Sequence, residues 1–103
     1  MTDEAIVTVE LSGFRDIDES TMGVVSKLAQ TYTRKIVEHT KKPGILHITL
    51  KPVHQREKGE KYEVHSRITD NGKIYVSEFT DRNLLAVLDT VLTKLLTELT
   101  RKH

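Results

Sequence analysis

The chain has no cysteine, which excludes a disulfide framework, a thiolate nucleophile and a sulfur-ligated zinc or iron site together. It has no tryptophan and only 5% aromatic residues, too few for the stacking platforms that hold single-stranded nucleic acid. No apolar run approaches the roughly 18 residues of a membrane span, and Met1 to Ala5 carry two acids and no apolar signal core. Glycine-rich phosphate loops, nucleophile elbows and carboxylate pairs at helical spacing beside a histidine are absent as well. These absences predict a cytoplasmic, non-catalytic protein with no cofactor, no small-molecule substrate and no membrane partner. What is present, 103 residues of which 37% are hydrophobic and 30% charged, suffices for a single domain, residues 1–103, with one two-layer core.

The net charge of +1 conceals a division after Ser20. Up to that point Asp3, Glu4, Glu10, Asp16, Asp18 and Glu19 stand against Arg15 alone; beyond it 15 basic residues stand against 9 acidic ones. A basic body suits an anionic partner such as RNA, and it equally suits solubility.

Hydropathy alternates with a period of two in Ala5–Leu11, which predicts a first strand with Val7, Val9 and Leu11 on its inner face. Ser12-Gly13 breaks it, and Asp18-Glu19-Ser20-Thr21 supplies the carboxylates and hydroxyls that cap a helix. Met22, Val25, Leu28, Ala29, Tyr32, Ile36 and Val37 then recur every three or four residues, an amphipathic helix ending near His39, before Pro43-Gly44. Ile45–Lys51 reads as a second strand stopped by Pro52, and Val53–Lys61 as an exposed hairpin loop. Tyr62–Thr69 and Lys73–Phe79 flank Asn71-Gly72, a strong hairpin signal because both residues tolerate positive φ. Thr80 or Asp81 is expected to cap a last helix whose Leu84, Leu85, Leu88, Val91, Leu92, Leu95, Leu96 and Leu99 make a broad apolar face.

The order β-α-β-β-β-α predicts an α+β two-layer sandwich, a four-stranded mixed sheet with both helices on one face, similar in layout to the double-stranded RNA-binding domain. The uncovered face would carry His47, Thr49, Lys51, Glu63, His65, Arg67, Lys73, Tyr75 and Ser77. His47 and His65 fall on neighbouring strands and would supply two of the three or four ligands of a zinc site; with no third ligand in view, no metal is expected. Phosphate contact needs long cations converging on one surface. The candidates are Lys27, Arg34 and Lys35 on the first helix, Lys51, Arg67 and Lys73 on the sheet, and Lys94, Arg101 and Lys102 at the end of the last helix.

Asn71-Gly72, Asp81, Ala86, Asp89, the Lys94-Leu95 pair and Leu99, together with Lys27-Leu28 and the Ile48-x-Leu50 strand, resemble the ribosome hibernation-promoting factor and ribosome-associated inhibitor family, also known as the sigma-54 modulation proteins. The resemblance spans nearly the whole chain and implies a short form without the domain that pairs ribosomes. It implies a stress factor that binds small-subunit rRNA near the decoding region and inactivates or protects ribosomes, monomeric when free. Carried over by position, Lys27, Lys94, Arg101 and Lys102 match its rRNA-facing cations; Lys35, Lys51 and Arg67 join them on local geometry. Thr97 and Glu98 depart from the pattern, standing where the family usually has Arg and Gln. Two alternatives stay open: a double-stranded RNA-binding module, and a protein-interaction or self-assembly module using the uncovered sheet face.

Overall fold

Residues 7–53 and 61–101 are described by a computed structural model. The chain runs β1 (Val9–Ser12), α1 (Glu19–Val37), β2 (Leu46–Val53), β3 (Lys61–Asp70), β4 (Lys73–Asp81) and α2 (Leu84–Thr100). β1 lies parallel to β2, and β2, β3 and β4 form an antiparallel meander, so the sheet order is β1-β2-β3-β4. This is the α+β sandwich that the element order predicts. The expected loop after Val53 lies largely outside the described residues.

The core forms where α2 meets the sheet. Seven side chains of α2, from Leu84 to Leu99, are buried, against Val25, Ala29 and Ile36 from α1. Leu46, Ile48, Leu50, Val64 and Ile68 close the cluster from the sheet. Each such side chain contributes roughly 1.5–3 kcal/mol by leaving water, so α2 is the main source of cohesion. The helices are also tied by polar contacts: the Tyr32 hydroxyl donates to Asp89 Oδ1 at 2.8 Å and lies 2.7 Å from Thr93 Oγ1. Among the described residues no helix is long and apolar enough to cross a membrane.

Asp18 caps α1 as its position suggests, accepting from the Thr21 amide at 3.0 Å and the Ser20 hydroxyl at 2.7 Å. The Ser20 hydroxyl and the Thr21 contacts hold its carboxyl down from 3.8 to about 2. The turn before it depends on Gly13, whose φ is +84° and whose missing Cβ would lie 2.1 Å from the Leu50 carbonyl oxygen. That close approach brings the next residue, Phe14, into the core.

Four sequence expectations are corrected. Among the described residues β1 begins at Val9, leaving Val7 and Thr8 of the expected strand outside it, because the first pairing position on β2 is Leu46, opposite Val9; Ala5 and Ile6 lie outside the described residues. Val7 is buried but lies beyond the end of that ladder. Pro52 does not end β2, which continues opposite β3 through Pro52 and Val53. Since β1 pairs no further than Thr49, this stretch of β2 is an edge, where a residue without an N–H is tolerated. Asn83, not Thr80 or Asp81, caps α2, its side chain accepting from the Ala86 amide at 3.0 Å. Thr80 and Asp81 belong to β4, which is longer than its hydropathy suggests.

The fourth correction alters the exposed surface. Asn71 and Gly72 turn with φ of 54° and 87°, pairing Asp70 with Lys73, and hence Ile68 with Tyr75 and Ser66 with Ser77. Directly paired residues share a face, so Lys73, Tyr75 and Ser77 have the phase of the helix side, not of the open face. Ser77 confirms this, lying 2.6 Å from Ser66 Oγ and donating to the Val91 carbonyl of α2 at 2.8 Å.

Asp70 is only 2% exposed, although it opens the turn. Its Oδ1 accepts from the backbone amides of Lys41 and Lys42, both at 2.8 Å, which fixes the chain between α1 and β2. The Asp70→Ala variant leaves those amides without their acceptor and is expected to lose about 1–3 kcal/mol of stability in urea unfolding. The Asp18 effect has a pH signature. Because its folded value lies below the unfolded one, its stabilisation is complete above pH 3.8 and is lost as pH falls through about 2. Between those values, unfolding of Asp18→Asn is expected to depend less steeply on pH than that of the unaltered protein.

Candidate nucleic-acid interface

Because Leu46, Ile48 and Leu50 of β2 and Val64, Ser66 and Ile68 of β3 are buried under the helices, their alternates point to the opposite face. His47, Thr49 and Lys51 thus stand beside Glu63, His65 and Arg67, and β4 adds Ile74, Val76 and Glu78. Ile74 and Val76 are 63% and 59% exposed, an apolar element that reading β4 in the wrong phase conceals.

A concavity of about 1020 Å³ is lined by residues of β2, β3, β4 and α2. It brings together four of the seven predicted cations: Lys51 and Arg67 from the sheet, Lys94 and Arg101 from α2 and its C-terminal cap. Lys94 and Arg101 are seven residues apart, close to two helical turns, and so lie about 10 Å apart along one flank of the helix. Lys94 Nζ donates to the Glu78 carbonyl at 2.9 Å and lies 5.6 Å from the centre of the Phe79 ring, which orients the ammonium at the edge of β4. Arg101 lies 3.8 Å from Glu98, an exposed pair of little energetic weight. Among the described residues Lys51, Arg67 and Lys94 enter no ion pair.

The other predicted cations lie elsewhere. Lys27 and Lys35 are exposed on α1 and do not line the concavity, and Lys35 rests 5.1 Å from the Tyr32 ring centre. Lys102 lies outside the described residues. The two sheet histidines do not meet: His47 faces Glu10 at 3.4 Å, while His65 lies between Glu63 and Glu78. Sequence reasoning placed Glu63 on the face of His65 but missed Glu78, because it put β4 in the wrong phase; the pairing of His65 with Glu78 follows directly from the two-residue turn.

The surface therefore presents four cations around a depression that also holds the carboxylates of Glu78 and Glu98, with Thr49, Thr93 and Thr97 between them. Such an arrangement suits an anionic polymer, whose phosphates take both charge and hydrogen bonds. The serine pair, Ser66 buried and Ser77 half-buried, is occupied in tying β3 and β4 to α2.

No protein-family model matches the chain, and no curated protein matches it in sequence. Solved structures do match its fold. A ribosomal subunit interface protein from Coxiella burnetii superposes with a TM-score of 0.62 at 14% identity, covering 92% of this chain and 93% of that one. The N-terminal domain of Thermus thermophilus Protein Y superposes with a TM-score of 0.61 at 17% identity, covering 94% of this chain and 97% of that one. The fold implied by the sequence resemblance is the fold found.

Proposed function

We propose that this chain is a non-catalytic, cytoplasmic ribosome-associated factor that binds small-subunit rRNA near the decoding region and keeps ribosomes inactive or protected under stress. The observation that carries the reading is the convergence of Lys51, Arg67, Lys94 and Arg101 on one concavity of a fold shared with a ribosomal subunit interface protein. Three of the four cations enter no ion pair among the described residues, so they are available to phosphate. The sequence resemblance supports the same reading over nearly the whole chain. Lys27, Lys35 and Lys102 stand outside the concavity or the described residues and would act as outlying phosphate contacts, if a long RNA surface reaches them.

The mechanism is occlusion. An electrostatic anchor binds phosphate without reading sequence, because backbone contacts carry affinity and register rather than base identity. A folded body of this size then occupies space that messenger and transfer RNA require, and no bond is made or broken.

Sedimentation with separated ribosomal subunits at low and high salt tests the reading. Comigration with the small subunit is expected, lost as salt rises with a log–log slope of about 0.9 per phosphate neutralised on a duplex-like site. Reversing Lys94 and Arg101 to Glu is expected to lower that slope by roughly one unit per cation. An unchanged slope removes those residues from the contact, absence from small-subunit fractions at low salt overturns the reading, and tight binding to a short synthetic RNA duplex without subunit preference favours a double-stranded RNA-binding module.

A further inference from the structure

His65 sits at the centre of the open face with a carboxylate against each ring nitrogen. Glu63 Oε2 lies 2.5 Å from Nε2 and Glu78 Oε1 lies 3.2 Å from Nδ1. The arrangement follows from strand geometry: Glu63 and His65 are two residues apart on β3 and share a face, and the β3–β4 register sets Glu78 directly opposite His65. One donor atom from each of the three residues lies within 4.8 Å of the others.

A neutral imidazole carries one N–H, so only one of its nitrogens can donate; the other turns a lone pair toward a carboxylate oxygen. A dication placed between that lone pair and the carboxylate replaces a repulsive contact with two coordinate bonds. We propose that Glu63, His65 and Glu78 form a binding site for a first-row divalent cation of the zinc class. One nitrogen and two carboxylate oxygens are a donor set such ions accept, and a magnesium or calcium site would favour oxygen alone. Ligand atoms around a tetrahedral zinc lie roughly 3.4 Å apart, so closing the trio on an ion held at Nε2 beside Glu63 requires the Glu78 carboxylate to rotate away from Nδ1 and across to the ion. Glu78, with 69% of its side chain exposed, is free to make that rotation.

Three protein ligands leave a coordination position open, as in zinc sites that hold a water or an exogenous ligand. His65 and Glu78 line the concavity, so the open position faces the same depression as Lys51 and Arg67. A bound dication also offsets the two carboxylates, which otherwise set negative charge among those cations. The site stands independently of the ribosome reading, since its test contains no RNA.

Isothermal titration of the tag-free full chain with zinc chloride, and separately with magnesium chloride, reads the stoichiometry. One equivalent of zinc is expected, bound more tightly than magnesium, with the His65 imidazole NMR signals shifting and those of His47 staying in place. His65→Ala and Glu78→Gln are each expected to weaken uptake roughly tenfold or more, while His47→Ala leaves it unchanged. Glu78 is exposed, so Glu78→Gln retains the fold, which circular dichroism verifies. No stoichiometric uptake overturns the site. So does uptake that survives both His65→Ala and Glu78→Gln, or uptake that His47→Ala removes.

Discussion

Asn71 and Gly72 adopt φ of 54° and 87°, and the turn they make has only one register, Asp70 opposite Lys73. Every later pairing across β3 and β4 follows from it. Because side chains alternate with a period of two, a slip by one residue would expel Tyr75, Ser77 and Phe79 from beneath α2 and turn Ile74, Val76 and Glu78 inward. The serine pair between β3 and β4 and its bond to Val91 would be lost, and with them the seating of α2. The same register brings Glu78 against His65 and Val76 beside Arg67, so the turn determines the composition of the open face as well as the core. Asp70 reinforces the turn from within by accepting two amides from the chain that leads into β2.

The elements themselves were legible because each carries a local signal. Alternation marks β2 and β3, a three-to-four period marks both helices, and Asp18 with its neighbouring hydroxyls marks the start of α1. What escaped was decided by pairing. The edge position that admits Pro52 depends on β1 stopping opposite Thr49, which nothing around Pro52 reveals. Asn83 became the cap because β4 extends through Thr80 and Asp81, held by Glu63 and Tyr62 of β3, 17 and 19 residues earlier in the chain. The phase of β4 is the instructive case. Its alternation is compatible with either face, since Ile74 and Val76 are as apolar as Tyr75 and Phe79, yet the two-residue turn leaves no choice. Hydropathy gave the wrong face where turn geometry gives the right one.

For the candidate interface, the same distinction holds. The resemblance and local geometry nominated seven cations, and the fold gathers four of them, from β2, β3 and the C-terminal half of α2 with its cap, at one depression. Lys51 and Arg67 reach the concavity through strand alternation, which is readable from the sequence; Lys94 and Arg101 reach it because α2 packs its buried leucines onto the sheet with this flank beside β4. Lys27 and Lys35 lie on α1, which packs on the rest through Val25, Ala29, Ile36 and the Tyr32 hydroxyl and contributes no residue to the lining of the depression. A helix can be amphipathic and basic and still present its cations elsewhere.

The departures at Thr97 and Glu98 acquire a structural meaning from this placement. Both residues line the concavity, so the neutral and acidic side chains that stand where the family of the sequence resemblance has Arg and Gln fall on the candidate interface and not on a remote surface. Glu98 lies 3.8 Å from Arg101 and, with both side chains exposed, lowers the positive potential at that end of α2 only slightly. On the sheet the strand pairing sets Lys51 opposite Glu63, and Glu78 stands two residues along β4 from Val76, the partner of Arg67. Any anion at this surface therefore meets the carboxylates of Glu63 and Glu78 beside the sheet cations, and the charge state of the Glu63, His65 and Glu78 cluster bears directly on the potential there. Electrostatics at the centre of the sheet, and not the number of lysines on the helices, sets the character of this face.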